Sequence, residues 1–156
     1  MLEYPAIGIG SHSKTDTNGY NRCSANPANS GQVKFEKCGD LGTYSYSVNL
    51  TEPHIWIVDF VGNKKFGSID GNPIVDTTDS YILAPDSNLT IFKHQYDDAI
   101  KPCRFYYGKI WDSSYNLVRD FIPVRDGDVG YLYDRVSGQL FGNAGTGSFI
   151  LGPDIS

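Results

Sequence analysis

Glutamate is scarce in this chain, with three in 156 residues, at positions 3, 36 and 52. A glycoside hydrolase needs two carboxyl groups about 5–9.5 Å apart across a cleft. None of the three has an acidic partner at the spacing a single strand would require, so a glycan-cleaving enzyme is the reading with least support. Histidine is equally thin. His12, His54 and His94 fall in separate segments with no ligand-spaced partner, whereas a zinc site needs three or four converging ligands. Neither G-x-S-x-G nor G-x-x-x-x-G-K-[ST] occurs, which removes the nucleophile elbow and the phosphate loop. No catalytic residue is assigned, and the chain is expected not to be an enzyme.

Clustered cations are also missing. Lys and Arg total 13 against 18 Asp and Glu, and the densest run is Lys64-Lys65, expected in a turn. A phosphate-backbone binder needs several grouped cations, so nucleic acid is not an expected partner. No segment approaches the ~20 apolar residues of a membrane-spanning helix, so membrane insertion is not expected. The N-terminus, M-L-E-Y-P-A-I-G-I-G, has no cationic or long apolar region, so no signal peptide is expected. The two N-L-T sequons, at Asn49 and Asn88, then read as chance matches. Cys23, Cys38 and Cys103 are odd in number and form no C-x-x-C. Three reduced thiols acting as small strand residues is the favoured state, with one bridge and a free thiol as the alternative. Helical periodicity is absent throughout; only residues 96–102 could hold a single helical turn.

What remains is strand and turn material: 17 Gly, 11 Tyr, and abundant Ser, Asn, Thr and Asp. Residues 32–38 alternate Val33, Phe35 and Lys37 against Lys34, Glu36 and Cys38. Residues 43–49 alternate Tyr44, Tyr46 and Val48 against Ser45 and Ser47. The run I-W-I-V-D-F-V at 55–61 fits a central strand covered on both faces. Asp70-Gly71, between short apolar runs, is a strong hairpin signal. Further strands are expected at 4–10, 20–24, 65–69, 72–76, 81–83, 89–93, 105–111, 117–124, 130–134, 139–142 and 148–151. Residues 11–19 read as a polar turn. About a dozen short strands with closely spaced turns give an all-β fold, a two-sheet antiparallel sandwich in one domain.

The stretch K-I-W-D-S-S-Y-N-L-V-R-D-F-I-P-V, followed by G-Y-L-Y-D-R-V-S-G-Q-L-F-G-N-A-G-T-G-S-F, resembles a C-terminal signature. That signature belongs to laminin-G-like, concanavalin A-like jelly-roll domains of gut bacteria and their phages. The resemblance covers roughly residues 103–152. Upstream, F-G-S-I-D-G-N-P-I-V looks like a hairpin of the same domains. The resemblance implies a jelly-roll sandwich with a concave face. The family's first strands are shortened or absent here, which would leave an edge for another subunit or domain to fill. No single activity follows, because the fold carries lectins, glycosidases, adhesins and virion parts alike.

Aromatic residues are the remaining chemical resource. Sugar faces stack on aromatic rings, and Tyr hydroxyls add polar handles. In the strand expected at 105–111, Phe105, Tyr107, Lys109 and Trp111 would share one face. Gly108 on the other would leave room for a neighbour or ligand. A ligand site is expected at Tyr107, Trp111 and Tyr115, with sandwich core and sheet surface as the plainer alternative. Asp126-Gly127-Asp128 could offer Asp126 and Asp128 as hard oxygen ligands for calcium, the one cofactor considered, although a polar turn is the simpler role. Arg119 and Asp120 must point to opposite faces of a strand, so each is expected to pair with a neighbour rather than with the other.

The reading that follows is a surface-displayed, non-enzymatic recognition module for a glycan or a cell-surface protein. The alternative is a structural phage virion component, such as a capsid decoration, head fibre or tail piece, acting through assembly. Virion or cell surface is the expected location, and a homo-oligomer or larger assembly is consistent with either function.

Overall fold

A computed structural model describes residues 7–12, 20–25, 32–37, 43–49, 51–80, 90–91, 104–145 and 147–153. The described residues form twelve strands and no helix. They are β1 (Ile7–His12), β2 (Tyr20–Ala25), β3 (Gln32–Glu36), β4 (Thr43–Ser45), β5 (Trp56–Asp59), β6 (Lys64–Ile69), β7 (Asn72–Thr78), β8 (Thr90–Ile91), β9 (Gly108–Trp111), β10 (Leu117–Asp126), β11 (Val129–Asp134) and β12 (Gln139–Phe141). They build three antiparallel sheets, ordered β4-β3-β2-β1-β8, β5-β6-β7 and β12-β11-β10-β9. The chain divides into two compact units, residues 1–103 with the first two sheets and residues 104–156 with the third.

In the first unit the two sheets share a core. Val33 and Phe35 from β3 are fully buried and join Val48, Ile69 and Val75, with Tyr44, Tyr46, Trp56 and Ile74 packed against them. The period of two read in residues 32–37 and 43–49 is what delivers these side chains to one face. A Cβ on Gly67 would overlap the Phe35 ring, so β6 carries a glycine where the facing sheet comes closest. Phe35 also packs on Trp56, with ring centroids 5.9 Å apart.

The alternation of β3 continues to Lys37 and carries a lysine onto the core side. Its side chain is fully buried. The ammonium donates to the carbonyls of Gly62 (2.7 Å) and Lys64 (2.9 Å) and to Asp79 Oδ1 (3.2 Å). All three ammonium protons thus have acceptors, the condition under which a buried charge is tolerated.

Asp70 and Gly71 form the two-residue loop between β6 and β7, with Ile69 paired to Asn72. Their φ values of 52° and 77° are both left-handed, which makes this the type I′ turn expected from Asp-Gly.

Four local expectations are corrected. Residues 55–61 do not make a central strand: β5 lies at an edge of its sheet among the described residues, with Ile57 48% and Val58 36% exposed. β-branched content reports strand character but not position in a sheet. Ser11 and His12 are not turn residues; they extend β1, pairing with Asn21 and Tyr20. Lys64 and Lys65 open β6 rather than a turn. Residues 148–151 form no strand; Phe149 and Leu151 instead pack over Gly130, whose missing side chain leaves them space. The strand expected at 81–83, the helical turn at 96–102, Cys38 and Cys103 lie outside the described residues, while Cys23 sits in β2.

Candidate functional site

The second unit is a four-stranded meander, with one connection set by backbone turn geometry and two by aspartate side chains. β10 and β11 are joined by Gly127-Asp128, with Asp126 paired to Val129. Gly127 has φ 57° and Asp128 is not left-handed, the pattern of a type II′ turn. Asp126 and Asp128 are both exposed beside this turn. Calcium takes six to eight oxygen ligands. Among the described residues no group of three His, Cys, Asp or Glu converges anywhere, so these two carboxylates come without a third protein carboxylate.

Asp134 locks the other end of the meander. It is fully buried and accepts from the amides of Asp120 (2.9 Å) and Val136 (3.1 Å) and from the Ser137 hydroxyl (2.7 Å). Burial alone pushes its carboxyl up; these donors, led by the Asp120 amide, outweigh that and hold it down at about 2. Arg119 and Asp120 separate as expected. Arg119 Nε lies 3.6 Å from Asp134 Oδ2, and Arg135 Nη2 lies 2.8 Å from Asp120 Oδ2. This cluster fastens β10 to the β11–β12 turn.

The loop joining β9 to β10 is built around Asp112. Trp111 pairs with Leu117 across it. Asp112 Oδ1 accepts from the amides of Ser114 (2.8 Å) and Asn116 (2.9 Å), and the Asn116 side-chain amide donates to Oδ2 (3.1 Å). The Asn116 amide, backbone first and side chain next, holds the Asp112 carboxyl below its ordinary range. Closing this loop forces Tyr115 to φ 62°. Left-handed backbone is unfavourable for a residue with a large side chain, yet Tyr115 is 57% exposed and gains no core burial in return.

The other aromatic residues of this hairpin are presented similarly. Tyr106 is 52%, Tyr107 50% and Trp111 51% exposed. From Tyr107 to Trp111 exposure alternates without a break, with Tyr107, Lys109 and Trp111 outward and Gly108 and Ile110 half-buried. The three residues singled out for ligand binding, Tyr107, Trp111 and Tyr115, therefore all reach the surface of one hairpin. Phe105 does not share their face. Its ring lies against Gly108, with Cζ 2.9 Å from where a Cβ would be. The room left by Gly108 is thus taken by the chain itself.

One pairing escaped the sequence reading. His54 Nδ1 lies 2.7 Å from Asp70 Oδ2, and its Nε2 lies 2.7 Å from the Asn49 carbonyl. An imidazole oriented by a carboxylate is the arrangement of a general base, but here the second nitrogen is engaged by the Asn49 carbonyl. The β5–β6 register, with Trp56 paired to Ile69, sets Asp70 opposite residue 55, and no local pattern in the sequence signals that pairing. No family model, curated protein or solved structure matches this chain.

Proposed function

We propose that this chain is a jelly-roll recognition module of the laminin-G-like kind, binding glycan on a surface through the aromatic residues of the β9–β10 hairpin. Tyr115 carries the reading. It is a large residue held in left-handed backbone and more than half exposed, a cost that core packing does not explain. Strained residues cluster at ligand contacts and other functional sites, and this exposed one lies in the β9–β10 loop. Tyr107 and Trp111 supply flat apolar faces on which a sugar ring can stack. Lys109, Ser114 and Asn116, close by in the chain, supply polar partners for hydroxyl groups. Calcium, if used, would enter at Asp126 and Asp128 with oxygens from ligand or water completing its shell.

A second reading has its own observation. β5 presents Ile57 and Val58 at a sheet edge, with Ile55 just before it, each at least 36% exposed. Edges of this composition favour strand-to-strand association, as assembly into a virion would use.

The deciding experiment is a glycan-array screen with calcium and with chelator, run beside light scattering. The expected result is binding to a defined glycan family, weakened at least about tenfold in Trp111→Ala and Tyr107→Ala, a loss typical of one stacking ring, with thermal stability unchanged. A silent array with a stable trimer or larger assembly overturns recognition in favour of the structural role. Unchanged binding by both variants moves the site elsewhere on the surface.

A further inference from the structure

We propose that His54 is a protonation-dependent latch, fastening Asn49 and residues 51–55, which lead into edge strand β5, onto the Asp70-Gly71 turn. Both ring nitrogens of His54 face oxygen acceptors at 2.7 Å, one a carboxylate and the other a backbone carbonyl. A neutral imidazole carries one N–H and can satisfy only one of them; the other nitrogen would then set its lone pair against an oxygen lone pair. The imidazolium satisfies both. The geometry is therefore that of the charged form.

The surroundings act in the same direction. Asp70 is the carboxylate in contact, and Glu52 adds a second, smaller negative influence from the segment that carries His54; burial opposes them and outweighs either bare charge, but not the two hydrogen bonds. The hydrogen bond to Asp70 is the largest influence, that to Asn49 the next, and together they hold the His54 pKa above its ordinary value. The Asp70 carboxyl is in turn held below its ordinary range, first by His54 and then by the Ile55 amide. His54 is partly open to solvent, at 17%, so its proton exchanges without unfolding.

The sign follows from the two shifts. A raised histidine pKa means that the latch is fully engaged below the unfolded value of about 6.5 and is lost as pH rises through the higher folded value. The lowered Asp70 value gives the opposite limit: its contribution is present above about 3.9 and fades as pH falls through the folded value. When His54 loses its proton, Ile55 and Asp70 stay tied through Asp70 N to Ile55 O (2.9 Å) and Ile55 N to Asp70 Oδ1 (2.8 Å). What opens is therefore Asn49 and residues 51–54, just before the exposed apolar edge of β5.

The test is an NMR titration of the histidine ring protons in the full chain, with His54 assigned by its disappearance in His54→Gln. Asp70→Asn is the matched variant, because Asn tolerates left-handed backbone and its amide oxygen can still accept from Ile55. The expected result is a His54 midpoint above about 6.5 that drops in Asp70→Asn. Hydrogen-exchange protection of the Glu52 amide, which donates to the Asn49 carbonyl at 3.0 Å, gives a second readout. Relative to His54→Gln at the same pH, wild-type protection should be roughly two- to fivefold higher below the midpoint, the scale of an exposed ion pair, and equal above it. A His54 midpoint at or below 6.5, a midpoint unmoved by Asp70→Asn, or equal protection at every pH overturns the latch.

Discussion

Among the described residues, Tyr115 and Lys37 occupy places their chemistry disfavours, and each makes a measurable demand. Tyr115 takes a left-handed φ of 62° while exposed. Tyr115→Asn, which suits that backbone, is expected to raise stability by roughly 0.5–1 kcal/mol, part of the ~1–2 kcal/mol that a side chain costs there, and to weaken glycan binding. Chemical denaturation checks the first half, and a loss of stability would sink the strain argument. Lys37 has the opposite character, fully buried with acceptors on all sides. Lys37→Met leaves two carbonyls and the Asp79 carboxylate short of a donor, and should cost roughly 3–5 kcal/mol, read from the urea midpoint. A near-neutral result would mean that water enters to replace the ammonium.

At the scale of elements, the hairpins differ in what holds them. The β6–β7 turn relies on Asp70-Gly71 backbone preference, whereas the β9–β10 and β11–β12 loops are organised by the carboxylates of Asp112 and Asp134. The latter kind is sensitive to acid. The folded Asp134 value of about 2 lies below the unfolded value of about 3.9. Its contribution is therefore complete above pH ~4 and lost as pH falls from there through about 2. Asp134→Asn should flatten that acid limb in urea midpoints taken from pH 4 down to 2, besides lowering stability at neutral pH. Parallel wild-type and variant limbs would show that other carboxyls control acid unfolding. The hairpin at Asp70-Gly71 was legible because Asp-Gly has few backbone options; the carboxylate knots were not, since Asp134 is tied to Asp120 from another strand.

At the scale of the molecule the two units are unequally furnished. Among the described residues of 1–103, five buried apolar side chains form a core between two sheets. In residues 104–156 the one apolar side chain among the described residues that is classed as buried is Phe121, packed edge-on to Phe141 at 5.6 Å. A unit below ~60 residues with so little core is marginal by itself. The fragment 104–156 is accordingly expected to show no cooperative urea transition by circular dichroism; a sharp transition would mean that the aspartate knots and aromatic pairs suffice.

The sequence alone determined that this is an all-β chain. It also determined where its Asp-Gly turn falls and which faces of residues 32–37 and 43–49 turn inward, because side-chain alternation and turn chemistry are local properties. It offered Tyr107, Trp111 and Tyr115 as candidate ligand residues, with core or sheet surface as the alternative; their exposure came from the structure. Tertiary structure decided what depends on distant partners. β5 became an edge, since β-branched residues fit either an edge or a centre. Phe105 folded onto Gly108, Lys37 found its carbonyls, and His54 met Asp70 across a turn. Each of these joins residues through space, where pairing is set by how sheets stack and not by any period written along the chain.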